Sequence, residues 1–401
     1  MKITNETSRR AFTIVELLVV VAIIALLIAI LLPAIGKAKD GALVLQSSSN
    51  LGNLVRAQAT YGADWADRHF TACPDDLGLV AGDGAAYTTK IGCPSQQLLG
   101  FATDGGLWGY WVGGAICGTA NPFPGNWQVI KPFVFAKPGC GGPGAVIPYL
   151  GSFGASEMTN TKSFNTYLNG RFYDKVYFAP KDRVGLLAAD FGIQNEGEFT
   201  PGTSGAVVFP TYCWSPANMF NPTVLGTNGL PTGNTDCALA GQPNKVVSGG
   251  APYSTSAYRA PKMGMAAYPE QKTYMCEKLW LQNREGGETN FNCDGAKRLW
   301  LFNEGYNSSP VCSFIDGHVA QVGMSSAMAD HKKVKFQNTA LPCTAGRGLW
   351  HGGTPLGDNA GGGWFSPEKG YDRPTDDNPT SFHILTSDGI LGRDNLSPGG
   401  S

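Results

Sequence analysis

The sequence predicts an α+β fold in which one long N-terminal helix packs on an antiparallel β-sheet with long glycine- and proline-rich loops. Two observations predict the helix. The apolar run 12–32 is long enough to cross a bilayer at about 1.5 Å per residue, and residues 33–61 continue with apolar side chains at helical spacing. The composition predicts the sheet, because 54 glycines, 26 prolines and 11% aromatic residues are typical of a β-rich fold with many turns.

The first segment, residues 1–11, is a short polar leader that ends in Arg9, Arg10 and Ala11. The apolar run that follows contains a single charged residue, Glu16. A carboxylate inside a membrane helix is costly unless it has a partner. An ordinary signal anchor or a secretory signal peptide would also show arginines before an apolar run. Neither requires a buried acid, and no A-x-A cleavage site follows the run.

Residues 9–20, RRAFTIVELLVV, resemble the class III prepilin signal of type IV pilins and type II secretion pseudopilins. The resemblance implies that a prepilin peptidase cuts between Ala11 and Phe12 and methylates the new amino group of Phe12. It also implies that Glu16, the fifth mature residue, pairs with the N-terminal ammonium group of a neighbouring subunit during assembly. Pro33 matches the position of a helix-kinking proline in that family. The family usually has glycine before the cut, where this chain has Ala11.

After Pro33 the pattern becomes amphipathic and predicts a helix that ends near residues 59–61. Its apolar positions fall at helical spacing: Ile35, Ala38, Ala42, Leu45, Leu51, Leu54 and Val55. This second half is predicted to be the spine against which the sheet packs. Gly36, Gly41 and Gly52 weaken the helix locally. Such stretches can melt during pilin assembly, so the resemblance makes Gly36 and Gly41 candidate flexible points; they are equally well explained as tolerated glycines.

Beyond the helix, we predict a β-rich globular ectodomain over 62–344 and a glycine-rich C-terminal region over 345–401. Several segments resemble, in order, those of prepilin-like proteins of unassigned role: Tyr61–Phe70, Ile91–Ser95, Ser163–Gly170, Tyr268–Glu277 and Val311–Val322. In the last, a turn at Asp316 and Gly317 is predicted to join strands 311–315 and 318–322. That group often has a histidine ten residues before the aspartate, where this chain has Tyr306. A second Asp-Gly hairpin is predicted within 382–392.

The ten cysteines are dispersed and form no C-x-x-C pair, so a metal site is not predicted. An even number of dispersed cysteines on the outer side of a membrane suits disulfides. Pairs that are neighbours in sequence, Cys73 with Cys93 and Cys213 with Cys237, are the candidates, although spacing does not determine the connectivity. The alternative is that the cysteines are buried free thiols.

Charge and motifs exclude several functions. The net charge of −1 and the absence of a basic patch argue against nucleic-acid binding. The common catalytic and nucleotide-binding motifs are missing, so neither an enzyme nor a bound cofactor is predicted. The five histidines are isolated in sequence and are predicted to be surface or hairpin residues. The acidic segment 371–378 is interpreted as a solvated loop rather than a calcium site.

The sequence therefore predicts a membrane-anchored, pilin-like structural subunit of a type II secretion or type IV pilus-like system. Its expected partners are the prepilin peptidase, other pilin-like subunits and membrane lipid. It would span the inner (cytoplasmic) membrane once, with its ectodomain in the periplasm or at the cell surface. The alternative is an exported, membrane-anchored binding module that stacks glycans on aromatic rings. Those rings would belong to Trp108, Tyr110, Trp111, Trp127, Tyr212 and Trp214.

Overall fold

The chain divides into two units, Met1–Leu45 and Gln46–Ser401. The computed structural model describes residues 13–71, 96–101, 107–112, 125–130, 159–195, 197, 208, 210–219, 260–277, 279–280, 290–291, 297–298, 301–302, 309–337, 348–350, 382–383 and 386–397.

The first unit contains the start of one long helix, α1, which runs from Ile14 to Asp64 without interruption. Its large apolar side chains between Ile14 and Leu32 are all exposed. Pro33 lies inside the helix, where it lacks the backbone N–H that would bond four residues back. Gly36 and Gly41 also lie inside it, with open space where a side chain would project.

In the second unit, the last part of α1 becomes a core element. Leu51 and Leu54 are completely buried and Val55 nearly so, as the amphipathic pattern predicts. Ile35 and Leu45, assigned to the same apolar stripe, are exposed, so only the C-terminal part of that stripe packs. The helix ends three residues beyond the predicted end, at Asp64. It stops there because Ala66 and Asp67 adopt left-handed φ angles of 56° and 63°.

Short strands and helices follow α1 in the described part of the second unit. In chain order they are β1 (Gln96–Phe101), β2 (Leu107–Val112), β3 (Gly125–Ile130), α2 (Lys162–Asn165), α3 (Arg183–Gln194), β4 (Tyr212–Trp214), α4 (Pro216–Met219), β5 (Thr273–Glu277), β6 (Leu279–Trp280), β7 (Asn290–Phe291), β8 (Lys297–Arg298), β9 (Leu301–Phe302), β10 (Val311–Phe314), β11 (Val319–Gln321) and α5 (Met324–Gln337). Three-residue 3-10 helices lie at Lys175–Tyr177, Met263–Met265 and Gly389–Leu391.

The main sheet has four strands in the order β11-β10-β5-β4, and every neighbouring pair is antiparallel. The α+β prediction, with a long N-terminal helix and an antiparallel sheet, is therefore confirmed. A second sheet has the order β1-β2-β3. It differs from the prediction in one respect, because β2 and β3 run parallel. Two further antiparallel pairs are β6 with β9 and β7 with β8.

The main sheet carries a core that the C-terminal part of the chain completes. One buried cluster joins strand residues Cys276, Cys312 and Phe314 to residues of α5, and to Trp350 and Phe382 from farther along the chain. A hairpin is predicted within 382–392, and that prediction is wrong. Gly389–Leu391 form a 3-10 turn instead, and the extended residue before it, Thr386, bridges to Trp350.

Candidate functional site

The helix that carries the predicted assembly residue begins with a reciprocal cap. The backbone N–H and side-chain hydroxyl of Thr13 donate to Oε2 of Glu16 over 2.9 and 2.8 Å. In return, the Glu16 N–H donates to the Thr13 hydroxyl over 3.2 Å. This is the capping-box arrangement, in which two side chains satisfy N–H groups that the first helical turn leaves without partners. The carboxylate is thereby held at the helix N-terminus, where the helix dipole favours negative charge.

Behind this cap, the first unit presents an uncovered apolar surface. The most apolar stretch of α1 is not buried anywhere within the chain. Within the part of the chain that the structure describes, α1 is the one helix long and apolar enough to cross a membrane. Its side chains from Ile14 to Leu32 need lipid or other helices to leave water.

The predicted processing residues, Ala11 and Phe12, lie outside the described residues, so the cut between them stays a prediction. Glu16 lies in the first turn of α1, close to the Thr13 cap rather than deep in the apolar segment. Sequence reasoning missed Thr13, although the spacing Thr-x-x-Glu before an apolar run is a recognised helix-start signal. The kink predicted at Pro33 also stays a prediction.

In the second unit, a buried glutamine joins α1 to the sheet. Gln58 is completely buried. Its side-chain oxygen accepts from the Phe70 N–H over 3.0 Å and from the Tyr274 hydroxyl over 2.6 Å. Its amide nitrogen donates to the Arg68 carbonyl oxygen over 3.1 Å. Tyr274 reaches the glutamine from a β-bulge in β5, where the pairing register with β10 shifts. One side chain thus ties together the helix, the segment after it and the central strand.

A second polar contact lies eleven residues earlier on the helix, at Ser47. Its hydroxyl lies 2.8 Å from the Tyr212 hydroxyl and also donates to the Glu277 carboxylate. The other oxygen of Glu277 accepts from the Val311 N–H over 2.9 Å. Burial raises the pKa of Glu277 to about 7. Burial, followed by the nearby Glu277 charge, raises the pKa of Tyr212. The Glu277 carboxylate therefore takes up a proton more readily than a surface carboxylate would.

The predicted hairpin turn lies against the same helix. Strands β10 and β11 pair antiparallel, with Asp316 and Gly317 between them. Asp316 accepts from the His318 N–H over 3.1 Å. Gly317 has a φ of 96°, a conformation that favours glycine because it has no Cβ. A Cβ on Gly317 would lie 3.6 Å from Cγ1 of Val55, so the turn approaches α1 closely. These contacts explain the Asp-Gly pair as a structural turn.

A completely buried ion pair ties the C-terminal region to the residue just before β5, Lys272. Its Nζ lies 2.7 Å from Oδ2 of Asp394. The Lys272 ammonium also donates to the hydroxyls of Ser215 and Thr386, over 3.1 and 2.8 Å. Burial lowers the pKa of Lys272, and the Asp394 carboxylate opposes that shift. The pair is fully hydrogen-bonded, which is the condition under which a buried charge is tolerated. No local sequence signal could have found it, because its members lie 122 residues apart.

Two further predictions need correction. His69 and His383 are buried, not surface or hairpin residues, and burial lowers the pKa of each to about 3. They therefore stay neutral at ordinary pH. Tyr212 and Trp214, two of the six rings suggested for a glycan groove, are also buried in the core and cannot stack on a ligand. The acidic segment 371–378 lies outside the described residues.

The predicted cysteine pairs are not tested, because Cys73, Cys93 and Cys237 lie outside the described residues. Cys213 lies in β4, directly opposite Cys276 of β5. Among the described residues, no group of three or more histidine, cysteine, aspartate or glutamate side chains is arranged to hold a metal ion.

Comparison with known families supports the interpretation of the N-terminus. Residues 7–32 match the family described as the prokaryotic N-terminal methylation motif. The chain thus carries a prepilin-type N-terminal motif together with a long, N-terminally apolar helix, consistent with a type IV pilin-like protein. The motif and the helix together indicate a single-pass membrane anchor. Comparisons with curated proteins and with solved structures give no match.

Proposed function

We propose that this chain is a pilin-like structural subunit, processed between Ala11 and Phe12 and assembled through α1 in a type II secretion or type IV pilus-like system. Its membrane would be the inner (cytoplasmic) membrane, and its globular part would lie in the periplasm or at the cell surface. The prepilin peptidase and other pilin-like subunits are the partners that the motif implies.

The placement of Glu16 carries this proposal. It is the one charged residue of the run 12–32, and both bonds from Thr13 end on a single oxygen, Oε2. A cut before Phe12 would create an ammonium group one residue before Thr13. Charge-assisted hydrogen bonds between ammonium and carboxylate are about twice as strong as neutral ones. Near the hydrocarbon region, such a pair also removes the cost of an uncompensated charge.

The exposed apolar surface supports the same function. Each large side chain between Ile14 and Leu32 is at least 45% exposed in the isolated chain. Such a surface is stable only against lipid or against other apolar helices, and a subunit that moves from membrane to filament uses both environments. A membrane-anchored binding module would need the length of this segment but not its single acid.

The test separates the charge of Glu16 from its capping bonds. Glu16→Gln keeps an oxygen that can accept from Thr13 but removes the charge, whereas Thr13→Val removes the hydroxyl and leaves the charge. Wild-type and variant chains are expressed in the host, and methylation of Phe12, membrane extraction and co-isolation in sheared filament or pseudopilus fractions are measured. We expect Glu16→Gln to be processed but to lose assembly by about tenfold or more, since a lost charge-assisted bond of 1.5–3 kcal/mol corresponds to about this factor.

Thr13→Val is the matched control and should assemble nearly as well as the wild type. Normal assembly of Glu16→Gln would refute pairing through the charge. An unmethylated N-terminus at Met1, or a cut after Pro33, would refute prepilin processing altogether.

A further inference from the structure

Three cysteines lie side by side across the main sheet, although they are far apart in sequence. Cys276 in β5 is directly opposite Cys312 in β10 on one side and opposite Cys213 in β4 on the other. All three are at most 1% exposed. Residues directly opposite on neighbouring strands project from the same face of a sheet. The register therefore places three thiols in one buried row.

Two members of this row are close enough to react. The Sγ atoms of Cys276 and Cys312 lie 2.9 Å apart, within about 1 Å of the bonded distance in a disulfide. Opposed residues on antiparallel strands have Cα atoms about 4.5–5.5 Å apart, inside the range of about 4.4–6.8 Å that a disulfide accepts. Cys213 instead directs its sulfur to the backbone oxygen of Cys276, over 3.6 Å. The geometry thus favours one of the two possible pairs.

The surroundings of the pair determine when a bond could form. Cys276 and Cys312 belong to the buried cluster that includes Met324 from α5 and Trp350. Burial raises the pKa of both thiols, and the thiolate is the form that attacks a disulfide. Once this cluster has packed, both thiols are protonated and shielded from oxidants. Oxidation must therefore occur during folding, while the sulfur-bearing face of the sheet is still open.

We propose that Cys276 and Cys312 form a cross-strand disulfide that joins β5 to β10, an inference that rests on the proposed position of the globular part outside the cytoplasm. One S–S bond forms, and the two thiols together lose two protons and two electrons. The electron acceptor is the disulfide of a thiol oxidoreductase or of a small dithiol compound, which leaves as two thiols. This pairing differs from the sequence-neighbour pairs and involves neither Cys213 nor Cys237.

The tryptic peptides make the pairing directly measurable. Cleavage after lysine and arginine places Cys276 alone in 273–278 and Cys312 alone in 299–332. Cys213 and Cys237 fall together in 184–245. The full chain is refolded in detergent with oxidised and reduced glutathione, quenched with acid, alkylated and digested without reduction. The same digestion is applied to protein isolated from the host membrane.

We expect most of Cys276 to be recovered as 273–278 linked to 299–332, two hydrogen atoms lighter than the sum of the two peptides. The link should persist in Cys213→Ser and disappear in Cys312→Ser. Alkylated Cys276 in the refolded wild-type chain, or its link to 184–245, would overturn the proposal.

The digest also distinguishes failure of the disulfide from failure of the proposed function. Its N-terminal peptide, 12–37, reports methylation of Phe12 independently of the cysteines. A link that forms in glutathione but is absent from host protein would overturn the proposed location in an oxidising compartment. Absence of the link under both conditions overturns the disulfide itself, whatever the N-terminus shows.

Discussion

Replacement of Gln58 by leucine tests whether a polar contact, rather than apolar packing alone, fixes α1 on the sheet. The substitution removes the bonds of Gln58 to Phe70, Tyr274 and Arg68. The Phe70 N–H lies in a buried region, and a buried donor left without a partner costs about 1–3 kcal/mol. The other two bonds contribute about 0.5–1.5 kcal/mol each. The leucine side chain recovers part of this free energy through its own burial, so we expect the free energy of unfolding to fall by about 3 kcal/mol.

The assay is urea unfolding of the full chain in detergent micelles, followed by tryptophan fluorescence. With a slope of about 1–3 kcal/mol per molar urea, the midpoint should fall by about 1–3 M. Gln46→Leu is the matched control, because Gln46 lies on the same helix but is exposed; its effect should stay within about 0.5 kcal/mol. Equal midpoints for the two variants would refute the claim that the buried glutamine anchors the helix.

Three further predictions concern the protonation of Glu277, the turn at Gly317 and the glycines in the middle of α1. The pKa of Glu277 rises from 4.5 to about 7 on folding, so the native state holds its proton more tightly. Wild-type stability should therefore fall by roughly 3 kcal/mol relative to Glu277→Gln as pH rises from about 4.5 to about 7, measured as the difference between two denaturation curves. Gly317→Ala should lower the unfolding free energy by about 1–2 kcal/mol, because its φ of 96° is strained for alanine. The double substitution of Gly36 and Gly41 by alanine should stabilise the helix by about 2 kcal/mol, slow its amide exchange and reduce assembly if local melting is required.

Each of these predictions has a control within the same chain. Stability that depends on the buried, neutral His69 and His383 rises with pH between about 3 and 6.5, the opposite direction to Glu277. The difference curve removes this contribution because both proteins contain the two histidines. A flat difference between pH 4.5 and 7 would contradict the elevated pKa of Glu277. Gly323 follows the hairpin, and Gly323→Ala is the control for Gly317→Ala. It should leave the free energy of unfolding nearly unchanged. Gly52 lies in the packed half of α1, so Gly52→Ala is the control for the double variant. If it reduced assembly as much as the double variant does, a special role for Gly36 and Gly41 would be excluded.

Local patterns predict the main elements of the fold, because helices and tight turns are determined by residues that are close in sequence. The apolar run and the helical spacing of Leu51, Leu54 and Val55 identify α1, and the Asp316-Gly317 pair identifies the turn between β10 and β11. The predicted end of α1 is three residues too early. The helix stops because two residues after Asp64 have positive φ angles, not because the apolar periodicity ends. The hairpin predicted near Asp388 was wrong because a 3-10 turn, rather than a strand, follows the aspartate.

The contacts between distant segments could not be predicted in the same way. The Lys272–Asp394 ion pair joins residues 122 apart in sequence. The row of Cys213, Cys276 and Cys312 depends on strand register, which a single sequence does not reveal. Thr13 is different, since its capping signal, Thr-x-x-Glu before an apolar run, is local and can be found in a single sequence. The position of Gln58 on α1 could be predicted from the sequence. Its hydrogen-bond partners could not, because only the fold brings them near.

The long helix therefore has two halves whose burial has different causes. From Ser47 onward, its buried residues find partners within the chain, including directional bonds from Ser47 and Gln58. Between Ile14 and Leu32, the exposed side chains can be covered only by lipid or by other helices. Changes in the two halves should consequently have separable effects. Gln58→Leu should lower the stability of the globular unit while Phe12 is still processed, whereas Glu16→Gln should leave that stability unchanged and affect assembly.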